Sequence, residues 1–578
     1  MSDYKSIAAR KQQHLESLIP TEWRLDSSQI PPGMLSPADS VTNVSSYESV
    51  NVTDIPRTCG LLSPNELRIT EEYDVRSLLT EIHSKRLTSE EVVRAFCKRA
   101  AIAQQLTRCL TEPLFTQAIA QARTLDAHLQ RTNKPFGPLH GLPVSIKDTF
   151  QVTSTDASSG YVALAFHPSS KNSDLVTLLH SLGAIIIAKT NVPQTVGALD
   201  SVNNLFGRTL NPLNRRLTVG GSTGGEAALL ALRGSMVGFG TDIGGSVRIP
   251  PMCVGIYGFK PSVGRVPYGG QQEVGNVGVG RVSLQAVAGL IARSVQDLGA
   301  VMREIVPRAE LFGEDCIPGT WGEVGNLTGK GGRLRVGVLR KDGLVEPHPP
   351  IARVLDEVAQ ILRRTPGVEV VEVPVPKALA KCQWLANKLL GVDGAGAIMD
   401  LIEKVNEPLI PWLKGRMRRG KVSTIADLGK LQAQRAEIER EMLRMWTLEG
   451  EGGDRSLHID AIIHPVAPHP VPEPDRYNGV GYTSSWVLMD YPAGVVPVRK
   501  FGEDDLELGK EMSAPVKGSW DKANRALWNE STVDRRVYLD SPLSVQVITP
   551  KLHDYELYRA MQISDGAIRA GSKETAKL

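Results

Sequence analysis

Downstream of Gly137 the chain alternates short apolar runs with stretches of helical period. Leu142–Lys147, Ala184–Lys189 (AIIIAK) and Ser235–Gly240 are predicted strands, as are Leu334–Leu339, Val368–Val373, Ile459–His464, Val495–Val498 and Val545–Ile548. Asp174–Leu182, Gly224–Arg233, Pro350–Arg364 and Tyr555–Ser564 carry the apolar spacing of helices. Two further helices are predicted upstream, at Asp74–Arg86 and Ser89–Gln105. The second opens on Thr88-Ser-Glu-Glu91, a capping-box pattern ahead of the stripe Val92, Val93 and Phe96. Such alternation predicts an α/β protein with a largely buried sheet. Nothing between Asp74 and Ser564 looks like a linker, so one large domain is expected. Residues 1–73 read differently, as an amphipathic helix followed by a Ser, Pro, Thr and Val-rich loop (Ser27 to Pro64). We read them as an arm lying over the core.

Composition changes this picture little. The 578 residues include 66 Lys plus Arg and 63 Asp plus Glu, for a net charge of +3. That balance gives no reason to expect a nucleic-acid partner. The basic run Arg416-Met-Arg-Arg419 reads as a solvated helix face. The six cysteines, at 59, 97, 109, 253, 316 and 382, form no C-x-x-C pair, and their scatter suggests a reducing compartment. No run of about eighteen apolar residues suggests a membrane span. The N-terminus lacks the apolar core of a signal peptide. A cytoplasmic location is expected, with a peroxisomal one left open by the terminal Ala576-Lys577-Leu578.

Candidate chemistry begins with glycine. Gly325-Asn-Leu-Thr-Gly329-Lys330-Gly331 has the wrong spacing for a phosphate-binding loop, and Ile243 stands where a third dinucleotide glycine would follow Gly238 and Gly240. A G-x-S-x-G elbow fails at Ser246, which is followed by Val247 and Arg248. His464 and His469, in AIIHPVAPHP, read as strand-end packing residues rather than bases. No His and carboxylate cluster has metal-ligand spacing, so neither metal nor cofactor is expected. What remains is a pair of glycine–serine turns, Gly220-Gly-Ser222-Thr-Gly-Gly-Glu226 and Gly240-Thr-Asp-Ile-Gly-Gly-Ser246. One helix and one strand join them, so the serines could face each other. Without histidine, a serine nucleophile needs another base, and a buried lysine serves. Lys147 ends an otherwise apolar strand, where burial would favour the neutral amine. Read alone, a strand-end lysine is more often a structural residue than a base.

Together GPLHGLPVSIKDTF, GGSTGGEAALLALRG and GTDIGGSVRIPP resemble the amidase signature family, and NVPQTVGALDSVNNLFGRTLNP and YGFKPSVGRVPYG agree with it. The N-terminal part, including AFCKRAAIAQQLT, is similar to the fungal acetamidase and general amidase branch. Thr223 departs from the family's usual second serine. The resemblance implies a large mixed β-sheet covered by helices on both faces, with the family domain spanning residues 74–570. It also implies a catalytic triad of Ser246 as nucleophile, Ser222 as cis-peptide proton relay and Lys147 as base. The backbone amides of Ile243, Gly244, Gly245 and Ser246 would grip the oxyanion. Val196 would line the substrate side, while Asp242 and Arg248 would hold the loop.

The activity so implied is hydrolysis of a carboxylic acid amide to carboxylate and amine or ammonia. The expected partner is a small-molecule amide, and a homodimer is left open. Two other readings stand beside it: acyl transfer in a biosynthetic or amidotransferase setting with the same triad, and a non-catalytic relative. Residues from about Pro307 to Arg455 carry no usable motif.

Overall fold

The apolar runs become neighbouring strands in the computed structural model, which describes residues 3–272, 274–275, 278–322, 333–448 and 457–575. The strands that matter are β1 (Leu110–Pro113), β2 (Pro143–Lys147), β3 (Ile185–Thr190), β4 (Val237–Asp242), β5 (Tyr257–Lys260) and β6 (Val287–Ala292). They continue as β7 (Leu334–Val338), β8 (Val368–Glu372), β9 (Ala461–Pro465), β10 (Ala493–Lys500) and β11 (Pro542–Ile548). Among the described residues these make one eleven-stranded sheet in the order β1-β3-β2-β4-β6-β5-β10-β11-β9-β7-β8. β2 runs parallel to both β3 and β4. From β4 to β9 the pairings are antiparallel, and β9, β7 and β8 are again parallel. The sheet is therefore mixed. β3 (IIIAKT) and β4 (VGFGTD) are buried at every residue, as strands covered on both faces must be, and so show no alternation.

The helices used below are α1 (Tyr4–Ser17), α2 (Ser89–Thr107), α3 (Gly224–Ala231), α4 (Ile249–Val254), α5 (Pro349–Arg364), α6 (Gly481–Leu488) and α7 (Asp554–Thr575). α2 starts at the expected capping box: Thr88 Oγ1 accepts from Glu91 N–H and Glu91 accepts from Thr88 N–H. α3 packs on α2, β2 and β4, while α7 crosses β10 and α5.

Three strands of this sheet were not predicted, and each lacks the signal. β1 reads LTEP, β5 is four residues with a glycine and a lysine, and β6 (VAGLIA) is half alanine and glycine. α7 runs eleven residues past the predicted Ser564, to Thr575; Ile568, beyond the predicted end, is buried in the core. Ala576–Leu578 lie outside the described residues, as does the rejected glycine loop at 325–331.

Residues before 74 hold more helix than expected. Pro64–Glu71 is helical, started by a Ser63–Glu66 capping box, and packs on α2. α1 buries Ala8, Lys11 and Leu15. Lys11 reaches two buried carboxylates, Glu112 and, at 2.7 Å, Asp156. Between these helices the chain is tied down by arginines of the body. Arg108 donates to Leu35 O, Arg215 to Pro31 O (3.2 Å) and Arg208 to Ser40 O (3.0 Å).

Candidate active site

β2 delivers Lys147 to the C-terminal edge of its strand with no exposure to solvent. Its Nζ lies 2.7 Å from Ser222 Oγ, 2.8 Å from Thr241 Oγ1 and 3.1 Å from Thr223 Oγ1. Burial lowers the lysine to about 7, against the opposing pull of Asp242 and Glu226. The neutral amine is therefore well populated near neutral pH. Ser222 stands in the turn that opens α3, after a cis Gly221–Ser222 peptide bond. Its Oγ lies 3.0 Å from Ser246 Oγ, within hydrogen-bond distance. Ser246 lies between β4 and α4 and is 8% exposed, against 1% for Ser222 and 0% for Lys147. The three side chains thus form a line that meets solvent only at Ser246.

Glycines in β4 let the line close. A Cβ on Gly240 would fall 2.4 Å from Thr223 Cγ2, and one on Gly238 would fall 2.2 Å from Glu226 Oε2. α3 can lie this close to β4 only over bare backbone. Glu226 accepts from Ser145 and Thr190 hydroxyls, and burial lifts its carboxyl to about 8.

The Ser246 turn is pinned from below. Asp242 and Arg248 form a fully buried pair with Nε 3.0 Å from Oδ2, and Arg248 also donates to Gln546. Burial would raise the Asp242 carboxyl, but Arg248 overrides it and holds it below its ordinary value. One expectation needs correction here. Gly245 N–H donates to Asp242 Oδ1 at 2.7 Å, so it is spent on the turn instead of facing a substrate oxygen. Thr483 Oγ1 donates to the Gly244 carbonyl at 2.5 Å, which fixes the 244–245 peptide at both ends. Gly245 is glycine for packing: its φ is +133°, and a Cβ would sit 2.5 Å from Thr483 Oγ1. The amides of Ile243, Gly244 and Ser246 have no protein acceptor among the described residues. A Cβ on Gly244 would meet only Val480, at 4.0 Å.

Val196 is half-buried at a tight turn where it and Thr195 both have positive φ, +57° and +64°, an uncommon conformation for β-branched residues. Its segment packs on the Ser222 turn, since a Cβ on Gly221 would lie 2.6 Å from Ala198 O. A cavity of about 470 Å³ opens beside Ile243, lined by Tyr268, Gln271 and Leu284 among others. His464 and His469 are buried and direct ring nitrogens at backbone carbonyls. Among the described residues only Asp174, Glu314 and Asp315 bring three carboxylates within 4.8 Å of one another, and Arg281 pairs with Glu314. The sequence reading did not see Thr241 or Glu226 as site residues, nor Thr223 as a lysine partner.

A mixed α/β fold thus brings one lysine and two serines together at the ends of neighbouring strands. A model of the Amidase family matches residues 91–558, and the chain belongs to that family, the amidase signature enzymes. It is 34% identical over 561 residues to the acetamidase of Aspergillus oryzae, covering 96% of each chain. The acetamidase of Emericella nidulans is also 34% identical, over 95% of this chain and 96% of that one. The structure of a fatty acid amide hydrolase superposes with a TM-score of 0.83 at 26% identity, over 97% and 95% of the two chains. The protein is an amidase. Among its described residues no helix is long and apolar enough to cross a membrane.

Proposed function

We propose that the chain hydrolyses a small carboxylic acid amide through an acyl-enzyme on Ser246. The unbroken line Lys147–Ser222–Ser246, at 2.7 and 3.0 Å, carries this reading. With Lys147 neutral, its lone pair accepts from Ser222 O–H, while its two N–H groups face Thr223 and Thr241. Ser246 Oγ attacks the amide carbon, its proton passes to Ser222 Oγ, and the Ser222 proton passes to Lys147 Nζ. The developing oxyanion takes the amides of Ile243, Gly244 and Ser246, which the turn holds in place before substrate arrives. Collapse of the tetrahedral intermediate breaks the C–N bond. The departing nitrogen takes a proton from Ser222, which Lys147 replenishes. Water then attacks the ester with Lys147 again as final base, releasing carboxylate and restoring Ser246. Val196 borders the substrate, and the cavity beside Ile243 offers space for the part of the amide remote from the reacting carbon.

The test is turnover of a panel running from formamide and acetamide through aryl and long-chain amides, with Ser246→Ala as control. The variant is expected to lose at least a thousandfold in kcat and to resist fluorophosphonate labelling. Full hydrolysis by Ser246→Ala would sink the proposal. An added amine nucleophile that diverts most product into a new amide would replace hydrolysis by transfer.

A further inference from the structure

The turn that carries Ser222 is held by a buried chain of hydrogen bonds that ends on the N-terminal arm. Gly220 N–H donates to Thr218 Oγ1 at 3.0 Å, and that hydroxyl donates to Asp200 Oδ1 at 2.7 Å. The Asp200 carboxylate is ion-paired with Arg208. Arg208 in turn donates through Nε to Ser40 O at 3.0 Å and through Nη2 to Val41 O at 3.3 Å. Its backbone N–H donates to Ser40 Oγ at 2.9 Å, and Asp475 takes a further guanidinium contact at 2.9 Å. Ser40, Asp200, Arg208 and Thr218 are all buried. The neighbouring Ser201 Oγ bridges both ends of the same turn, accepting from Gly224 N–H at 3.0 Å and donating to Gly220 O at 3.1 Å.

We infer that Ser40, Arg208, Asp200 and Thr218 form a latch by which the arm sets the position of Ser222; they are positioning residues for the amidase reaction. The inference rests on the Ser222 relay proposed above. The polarity of the chain leaves no slack. Thr218 has one hydroxyl proton and gives it to the carboxylate, so its lone pair must face Gly220 N–H. Asp200 can be ionised at this depth only beside Arg208, and the guanidinium stays fixed only while its remaining N–H groups have acceptors. Two of those acceptors are carbonyls of the arm. The seat is tight as well: a Cβ on Gly207 would fall 2.7 Å from Ser40 Oγ and 2.8 Å from Pro37 Cα. Ser222 has to satisfy 2.7 Å to Lys147 and 3.0 Å to Ser246 at once. Displacement of such a group by about 1 Å can cost roughly a hundredfold in rate. Residues 37–41 lie outside the segment 91–558 matched by the family model.

The experiment compares Thr218→Val, nearly isosteric but without hydroxyl, with Thr218→Ser, which keeps it. Thr218→Val is expected to lower kcat and the rate of fluorophosphonate labelling of Ser246 by about ten- to a hundredfold, with KM changed less than threefold. Thr218→Ser should recover most of both rates. Ser40→Ala should lower the same rates, and combined with Thr218→Val should lower them no further than Thr218→Val does. Asp200→Asn carries the same expectation and serves if Thr218→Val does not accumulate as folded protein. Unchanged rates in Thr218→Val, failure of Thr218→Ser to recover, or additive losses in the double variant would overturn the latch. Lys147→Met separates the two ideas. If it labels at the wild-type rate, the relay falls and takes the latch with it; if it is slow while Thr218→Val is normal, the latch alone falls.

Discussion

In the proposed mechanism Lys147 serves as the base because it is dry. Removal from water brings its amine to about 7, so its protonation should limit activity on the acid side. The expected kcat/KM profile has an acid limb centred near pH 7 and falls tenfold per unit below it, measured between pH 5.5 and 9. A limb below pH 5 would remove Lys147 from the role of base. Apart from the motif resemblance, Lys147 was visible in the sequence only as one strand-end lysine among apolar residues. Its hydroxyl partners Thr223 and Thr241 were invisible as partners, because their contact arises from α3 folding back over β4. Gly245 shows the opposite error: four consecutive amides looked alike in one dimension, yet the Asp242 carboxylate claims one of them.

At the scale of elements, the close approach of α3 to β4 sets the distance from one serine turn to the other. Gly240→Ala should push Thr223 away from β4 and lower kcat, at a stability cost of about 1–3 kcal/mol for the overpacking. Adding Thr223→Ser, which removes the methyl that the new Cβ would strike, should recover part of both losses. Chemical denaturation together with turnover checks this, and an equally defective double variant would show that the contact is not the cause. The strands of this region were legible because burial on both faces makes them continuous apolar runs. β5 and β6 were not, since they are short and glycine-bearing and owe their extension to neighbours on either side. The region from about Pro307 to Arg455 contains helices at Leu379–Leu390 and Ile425–Leu443 that no motif announced. Part of it nonetheless reaches the site: Gln194, two residues before Val196, donates to Pro408 O and accepts from Ile410 N–H.

For the whole molecule, the arm is bound by buried polar contacts as well as by apolar side chains such as Leu15, Ile19, Trp23 and Leu25. Lys11 neutralises Glu112 and Asp156 inside the body. Lys11→Met should leave both carboxylates buried without their cation and lower unfolding free energy by about 3–5 kcal/mol, read from the urea midpoint. A midpoint within error of wild type would mean that water replaces the lysine there.

The seats of the arm also set an order in time. Ser40 docks on a residue 168 positions further along the chain, and Pro31 on one 184 positions further. At roughly 5–20 residues per second of synthesis, the arm waits about ten to thirty-five seconds before its binding sites exist. Closing so long a loop is a late event even in refolding from denaturant. During refolding, helix content should therefore return before Ser246 becomes reactive, so that newly made enzyme passes through a folded interval in which it is still inert.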